Sequence, residues 1–412
     1  MAEQNNKQMV KKLKVTAIAT DPIYIGTGGY TIGRVDNTIV RDPITRLPKI
    51  PGSSLAGTWR YYMALELQKY IKDQYRDFQK RKEQILNNNE YKEKGKKDKL
   101  RLILEENSPN WVKNFDNNLF SRITCAGQDN LPQLELAQAA ITIEEGKTGH
   151  CGHCIVCKSF GFSKKDISWQ GMLFFSDLEI LLFPVFTRLG TRWITTVDKI
   201  TNFIKSNDEQ IRIKFHEVNS DEIIDAEREA IFARRKDCDE KTLNLGWLNL
   251  PVKGCWIIED KENEFIDYIS KFGIEISKIL VIHEDLFSQI VNSNLEVRTS
   301  VSIDPLTGAA KPQALFTSEA IPRGTVFTGE IRIFEKDAFK YMDNKIGELP
   351  SADCIVDALC DSKHYYESLG IGGMTTRGFG RMKIDLDGDF NCNKHNCKSS
   401  NEQNQTEQTQ NQ

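Results

Sequence analysis

Residues 26–60 read GTGGYTIGRVDNTIVRDPITRLPKIPGSSLAGTWR, and the character of the fold is set here. Gly26, Gly28 and Gly29 let the backbone take positive φ and approach a ligand closely. Asp36 and Asn37 follow, then the strand-like run Thr38–Val40 and a basic–acidic turn at Arg41 and Asp42. Pro51 and Gly52 break that segment, and Ser53 or Ser54 is expected to cap the helix after it. A capped helix start presents free N–H groups and a positive dipole end, which suits phosphate. Two common nucleotide loops are excluded. The pattern G-x-x-x-x-G-K-[ST] does not occur here, and the glycines lack the dinucleotide spacing inside a βαβ unit.

Upstream, residues 12–20 (KLKVTAIAT) alternate as a strand with Leu13, Val15 and Ala17 on one face. Downstream, Leu55, Trp59, Met63 and Leu67 recur at helical spacing, so a helix is expected from near Ser54 to near Ile71 with this stripe in the core. Arg60 lies off the stripe, as a solvated charge or a ligand contact. Residues 72–113 are rich in Lys, Glu, Asn and Gln, which predicts a solvated helical insertion, with a basic ligand-touching patch as the alternative.

Cys151, Cys154 and Cys157 are spaced C-x-x-C-x-x-C, which puts three thiolates on one tight loop. A tetrahedral structural zinc site needs one more ligand. Cys125 is the first choice, with His150 and His153 as rivals. A redox reading lacks the strand and βαβ context of thioredoxin-like sites, and H-E-x-x-H does not occur.

Residues 169–184 (WQGMLFFSDLEILLFP) read as a buried strand pair or one bent strand. Arg188, Arg192 and Trp193 after them are basic and stacking contacts, or two surface arginines beside a packed Trp. Residues 201–294 mix helical runs with apolar pieces, as an insertion or long hairpin. Val326–Phe334 alternates as a strand, and Leu349–Leu369 reads as a helix. From Gly370, GIGGMTTRGFGRMKIDL is a glycine-rich loop delivering a strand through Met382, Ile384 and Leu386. Gly372 and Gly373 permit close approach of N–H groups to phosphates, and Thr375, Thr376, Arg377 and Arg381 add side-chain contacts. The Asn/Gln-rich stretch 391–412 is expected to be disordered, although Cys392, His395 and Cys397 lie in it.

The chain has 412 residues, 39% of them hydrophobic, enough for a sizeable core with insertions. A formal net charge of −3 argues against coating nucleic acid indiscriminately, so basic groups must be concentrated on one face. No apolar run reaches membrane-spanning length and the first residues lack a signal-type core, which predicts a cytoplasmic protein with no membrane partner. Ten cysteines in this context suggest free thiols and metal ligands more than a disulfide framework.

The order Val35-Asp36-Asn37, Ile39–Pro43 and Ile50–Arg60 resembles the RAMP superfamily of CRISPR-associated proteins. It is most similar to the backbone subunits (group 7) of type III RNA-guided effector complexes. The cysteine loop followed by Lys158–Phe162 (KSFGF) fits the same family. So does residues 297–335, with Arg298, Ile303, Asp304, Thr307, Glu319, Pro322, Gly324, Thr325 and Phe327, and the glycine-rich loop from Gly370. Ala56 stands where the family usually has Lys, so one phosphate contact is missing or comes from elsewhere.

The resemblance covers roughly residues 13–70, 120–200 and 295–387. It implies an α+β fold with a ferredoxin-like, RRM-like core, a four-stranded antiparallel sheet with two helices, carrying a zinc loop and a thumb-type insertion. The expected organisation is 1–70 as the first part of the core, 71–118 as a charged helical insertion, and 119–200 as zinc loop and core strands. Residues 201–294 are then the insertion or thumb, 295–390 the second part of the core, and 391–412 the tail. The implied partners are a CRISPR guide RNA, complementary target RNA and other effector subunits.

The implied activity is metal-dependent cleavage of target RNA, with Mg²⁺ or another divalent cation and Asp36 as the catalytic residue. At an ordinary carboxylate pKa near 3.9, Asp36 is a poor base at neutral pH, which favours binding metal or positioning over proton transfer. An Asx turn without chemistry is the alternative for Asp36, and Asp42 is assigned a structural role. RNA contacts are expected at Gly28, Gly29, Arg34, Asn37, Ser53, Ser54, Arg60, Arg188, Arg192, Gly372, Gly373, Thr375, Thr376, Arg377 and Arg381. Two other roles fit the same resemblance: a non-cutting scaffold or capping subunit, and a guide-processing endoribonuclease. The latter usually relies on His or Tyr, and none of the six histidines falls in the matched loops.

Overall fold

A computed structural model describes residues 9–28, 35–87, 108–115, 117–118, 121, 123–127, 149–164, 167–204, 212–217, 223–224, 230–234, 240–259, 262–339 and 346–388. Gly29, Arg34, most of the charged insertion after 87 and the stretch 391–412 lie outside them.

Four strands and two helices hold the middle of the chain together. They are β1 (Val10–Ala19), α1 (Gly52–Asn87), β2 (Leu178–Thr187), β3 (Val326–Phe334), α2 (Ala352–Ser362) and β4 (Met382–Gly388). In the sheet the strands run β4–β1–β3–β2, and each neighbouring pair is antiparallel. The alternation read from the sequence sets the faces: Leu13, Val15 and Ala17 are buried, while Lys12 is exposed. Leu13 lies opposite Ile331 and Ala17 opposite Phe327, so the apolar sets of β1 and β3 share one face.

Helix α1 lays its Leu55, Trp59, Met63 and Leu67 stripe into this core with all four side chains fully buried. Burial of each is worth about 1.5–3 kcal/mol. Trp59 sits at the crossing with α2, where its Nε1 donates to Ser362 Oγ at 3.1 Å and its ring meets Tyr366 edge-on at 5.3 Å. The helix runs well past Ile71, to Asn87.

Its start also differs from expectation. Ser53 and Ser54 lie inside the first turn, and the amide of Gly52 donates to Asp177 Oδ1 at 2.8 Å. A Cβ on Gly52 would come within 2.6 Å of the Phe175 carbonyl oxygen, so only glycine lets the helix start seat on the turn before β2. Lys49 completes the junction by bridging Asp177 at 2.6 Å and Asp42 at 3.2 Å.

The sheet does not stop at four strands. Beyond β2 it continues through Gly190–Thr195, Ile279–Ile282, Ile231–Ala233, Leu248–Glu259, Arg212–Glu217 and Ile223–Ile224, and Lys49–Ile50, Leu173–Phe175 and Thr242–Leu245 pair off this path, giving a thirteen-stranded sheet. A second core of Phe203, Phe215, Phe232, Trp256 and Phe265 backs this extension. Much of 201–294 is therefore sheet rather than a free hairpin. Several of its strands, Ile223–Ile224, Ile231–Ala233 and Ile279–Ile282, are short apolar runs that periodicity alone cannot separate from helix.

The hairpin that stands apart from the sheet comes later. Glu296–Ile303 pairs antiparallel with Ala310–Ala320 as a two-stranded sheet of its own. Val297, Val301, Ile303, Leu306 and Leu315 are exposed along it. No helix among the described residues is long and apolar enough to cross a membrane. Cys255, Cys354 and Cys360 are disulfide-bonded, which departs from the expectation of free thiols, because a cysteine count carries no pairing geometry.

Candidate nucleic-acid interface and metal centre

Three segments distant in sequence meet at the base of the hairpin. The first is the loop carrying Asp36. It runs beside the returning hairpin strand, with Asn37 bridged in parallel to Ser318. The Asn37 amide donates to the Thr317 carbonyl at 3.0 Å, and the Glu319 amide donates to the Asn37 carbonyl at 3.0 Å. Arg41 then ties the loop down through an ion pair with Glu319 at 2.6 Å.

Asp36 itself is exposed, and its Oδ2 accepts from the Thr317 amide at 2.7 Å and the Thr317 hydroxyl at 2.9 Å. The Thr317 amide, then its hydroxyl, hold the carboxyl below the usual carboxylate range by bonding its charged form. Asp36 is therefore anionic at neutral pH and a weaker base than a free aspartate. Asp42 is held down to about 2 by the amides of Thr45 and Ile44, with Lys49 beside it. Its bonds close its own turn and, through Lys49, tie that turn to Asp177, which is a structural role.

The glycine-rich loop is the third segment. Gly372 adopts φ of 81°, and a Cβ there would fall 2.2 Å from the Tyr24 carbonyl oxygen. The Gly373 amide donates to that same oxygen at 3.0 Å. These glycines serve a close approach of backbone to backbone, which fixes the loop against residues 22–25. Thr376, Arg377 and Arg381 stay exposed, Thr375 is half-buried, and Arg381 pairs with Asp21. From the hairpin, Arg298 reaches across to donate to the Gly378 carbonyl at 3.2 Å and stacks on Phe379 at 4.7 Å. Arg298 lies opposite Ser318 and Thr299 opposite Thr317, so two adjacent hairpin rungs link the glycine-rich loop to Asp36. Gly28 is exposed with φ of 75° and open space around it.

Several sequence-chosen residues stand elsewhere. Arg60 faces the cysteine loop: its Nε donates to the Cys125 carbonyl at 2.7 Å and a terminal nitrogen lies 2.8 Å from His150 Nδ1. It is neither a solvated charge nor an open ligand contact, because its helix face looks onto that loop. Arg188 pairs with Glu240 and donates to the Thr242 carbonyl at 2.7 Å, and Arg192 bonds the Leu189 carbonyl at 2.9 Å. Trp193 is half-buried, with Nε1 on the Gly324 carbonyl at 2.8 Å, so its ring packs rather than offering a stacking platform. At the start of α1 the capping oxygen is that of Asp177, which leaves Ser53 and Ser54 no capping role.

The four cysteines do converge. The Sγ atoms of Cys125, Cys151, Cys154 and Cys157 lie within 4.8 Å of one another, and all four residues are buried. Cys151 Sγ and Cys157 Sγ are 3.9 Å apart. Tetrahedral Zn–S bonds of about 2.3 Å put sulfurs roughly 3.8 Å apart, so the spacing fits. The amides of His153 and Cys154 point at Cys151 Sγ at 3.3 and 3.2 Å, as donors to a thiolate. Burial pushes the Cys154 thiol well up, so a cation beside it is what would favour its thiolate. His150 is engaged with Arg60 and neither histidine joins the sulfur cluster. Around Asp36, by contrast, no group of three His, Cys, Asp or Glu ligand atoms gathers among the described residues.

A family model described as RAMP superfamily matches residues 16–383. Among curated proteins, the chain is 58% identical over 45 residues to "CRISPR system Cms endoribonuclease Csm3" of Methanothermobacter thermautotrophicus, covering 11% of this chain and 18% of that one. It is 52% identical over 44 residues to the protein of the same name from Enterococcus italicus, covering 10% and 21%. The match thus spans about a fifth of the length of these curated relatives. Among solved structures, oligomeric Cmr4 from Pyrococcus furiosus aligns with a TM-score of 0.44 at 14% identity, covering 92% of this chain and 99% of that one. A chain of the type III-B Cmr-beta complex in its apo state aligns with a TM-score of 0.44 at 12% identity, covering 92% and 98%. With the family model spanning most of the 412 residues, the chain belongs to the RAMP superfamily.

Proposed function

We propose that this chain is a backbone subunit of a type III CRISPR effector, binding guide RNA and cutting the complementary target RNA beside Asp36. The observation that carries this reading is the exposed, ionised carboxylate of Asp36, held at the base of a free-standing hairpin and linked by it to the glycine-rich loop. The β4–β1–β3–β2 order with one helix after β1 and one after β3 is the arrangement of a ferredoxin-like, RRM-like core, which supports the same reading. Short endoribonuclease matches to Csm3 proteins point in the same direction.

The hairpin, with its exposed apolar side chains, plays the thumb against the guide–target duplex. Gly28, Thr376 and Arg377 face the RNA backbone, while base pairing reads the sequence. Cleavage proceeds by attack of a ribose 2′-oxygen on its own phosphorus. The new O2′–P bond forms as P–O5′ breaks, leaving a 2′,3′-cyclic phosphate, and the 2′-hydroxyl proton passes through water to the departing 5′-oxygen. Asp36 is too acidic to take that proton and acts by holding charge. A divalent cation bound by one carboxylate and the RNA phosphates would neutralise the crowded oxygens, a mode suited to Mg²⁺. Zinc in the four-cysteine site holds the loop that Arg60 clamps to α1.

The test uses the assembled guide complex and labelled complementary RNA, comparing the native chain with Asp36→Ala, in magnesium and in chelator. Loss of cleavage with target binding retained is expected for the variant. Unchanged cleavage would put the non-cutting scaffold reading first.

A further inference from the structure

The Asp36 carboxylate is oriented mainly from outside its own loop. Two donors to its Oδ2 come from Thr317, on the returning strand of the hairpin, and its own backbone amide is a lesser donor. The exchange is reciprocal. The Thr317 amide and hydroxyl both donate to Oδ2, and the same hydroxyl oxygen accepts from the Asp36 amide at 3.1 Å. With Oδ2 held on the hairpin side, Oδ1 is the oxygen left to face an incoming ligand. The neighbouring bonds of Asn37 to Thr317 and Ser318, and of Ile39 and Arg41 to Glu319, keep the two segments in register.

From this geometry we infer that Thr317 is a positioning residue for Asp36, so that the seat of the hairpin sets the orientation of the carboxylate. The inference rests on the cleavage role of Asp36 proposed above. Its consequence is that hairpin and cutting site are one mechanical unit. A hairpin lifted from its seat withdraws both donors from Oδ2, and the carboxylate then swings freely. A cut therefore requires a hairpin seated against its loop, which links cleavage to correct engagement of the RNA along the hairpin.

Thr317→Val keeps the shape and the amide but removes the hydroxyl; Thr317→Ser restores it. Groups that orient a ligating side chain typically contribute 10–100-fold, so roughly a tenfold loss of single-turnover cleavage is expected in Thr317→Val, with near-native rates in Thr317→Ser. The loss falls on the cleavage rate and returns in the Ser variant, while target RNA affinity stays unchanged. A second readout is independent of catalysis: amide hydrogen exchange at Asp36 on the full chain, because that amide donates to the Thr317 hydroxyl. Exchange there is expected to speed up in Thr317→Val and to return in Thr317→Ser. If Asp36→Asn abolishes cleavage but Thr317→Val changes neither the cleavage rate nor that exchange, the inference fails while the cleavage reading stands. If cleavage survives Asp36→Asn, both fall together.

Discussion

Asp36 and Asp42 occupy one loop and are held down for different reasons. Asp36 is bound by a strand almost three hundred residues away, Asp42 by the amides of its own turn. Asp42 therefore belongs to stability. Its folded pKa of about 2 lies below the roughly 3.9 of an unfolded aspartate, so its contribution is complete above the unfolded value and lost as pH falls through the folded one. Calorimetry should find Asp42→Asn with a lower Tm at pH 7. The gap from the native chain should hold down to about pH 4 and close as pH approaches 2. The role of Asp36 was legible only through the resemblance of Val35-Asp36-Asn37 to the RAMP pattern. Its partner was not: Thr317 carries no local pattern that marks it as a clamp.

The elements divide in the same way. Strands β1 and β3 follow from alternation alone, because each has one face on helices and the other on polar surroundings. The α1 stripe follows from spacing, and Trp59→Ala should cost about 3–5 kcal/mol in urea unfolding, given a fully buried indole wedged between α1, Ser362 and Tyr366. The cap of α1 did not follow, since Asp177 lies 125 residues from Gly52 and a serine in the right place is a good local imitation of a cap. Arg60 was misread for a related reason. A lone arginine off an apolar stripe looks solvated until the loop it grips, at Cys125 and His150, folds over it. The hairpin was not anticipated: its residues were matched only to the family pattern, and the thumb-type insertion was expected in 201–294, whereas the two strands that leave the sheet are Glu296–Ile303 and Ala310–Ala320.

At the scale of the whole molecule, the cysteine loop is the piece whose loss should be felt most widely, because Arg60 connects it to the helix that fills the core. Exhaustive chelation under reducing conditions, or Cys154→Ser, should lower Tm and release about one zinc per chain by elemental analysis, on the stoichiometry of a closed four-thiolate site. Unchanged stability together with no bound zinc would leave the cluster as four packed thiols. The sheet itself brings another consequence. Strand β1 is sandwiched between β3 and β4, so its hydrogen-bonding edges are completed by segments about 310 and about 370 residues further along the chain. At ribosomal speeds of about 5–20 residues per second, β1 waits roughly 20–70 s for its last neighbour. Until β3 emerges both edges of an apolar strand are bare on the ribosome, and until β4 emerges one of them still is, so the nascent chain depends on something else to shield β1 over that interval.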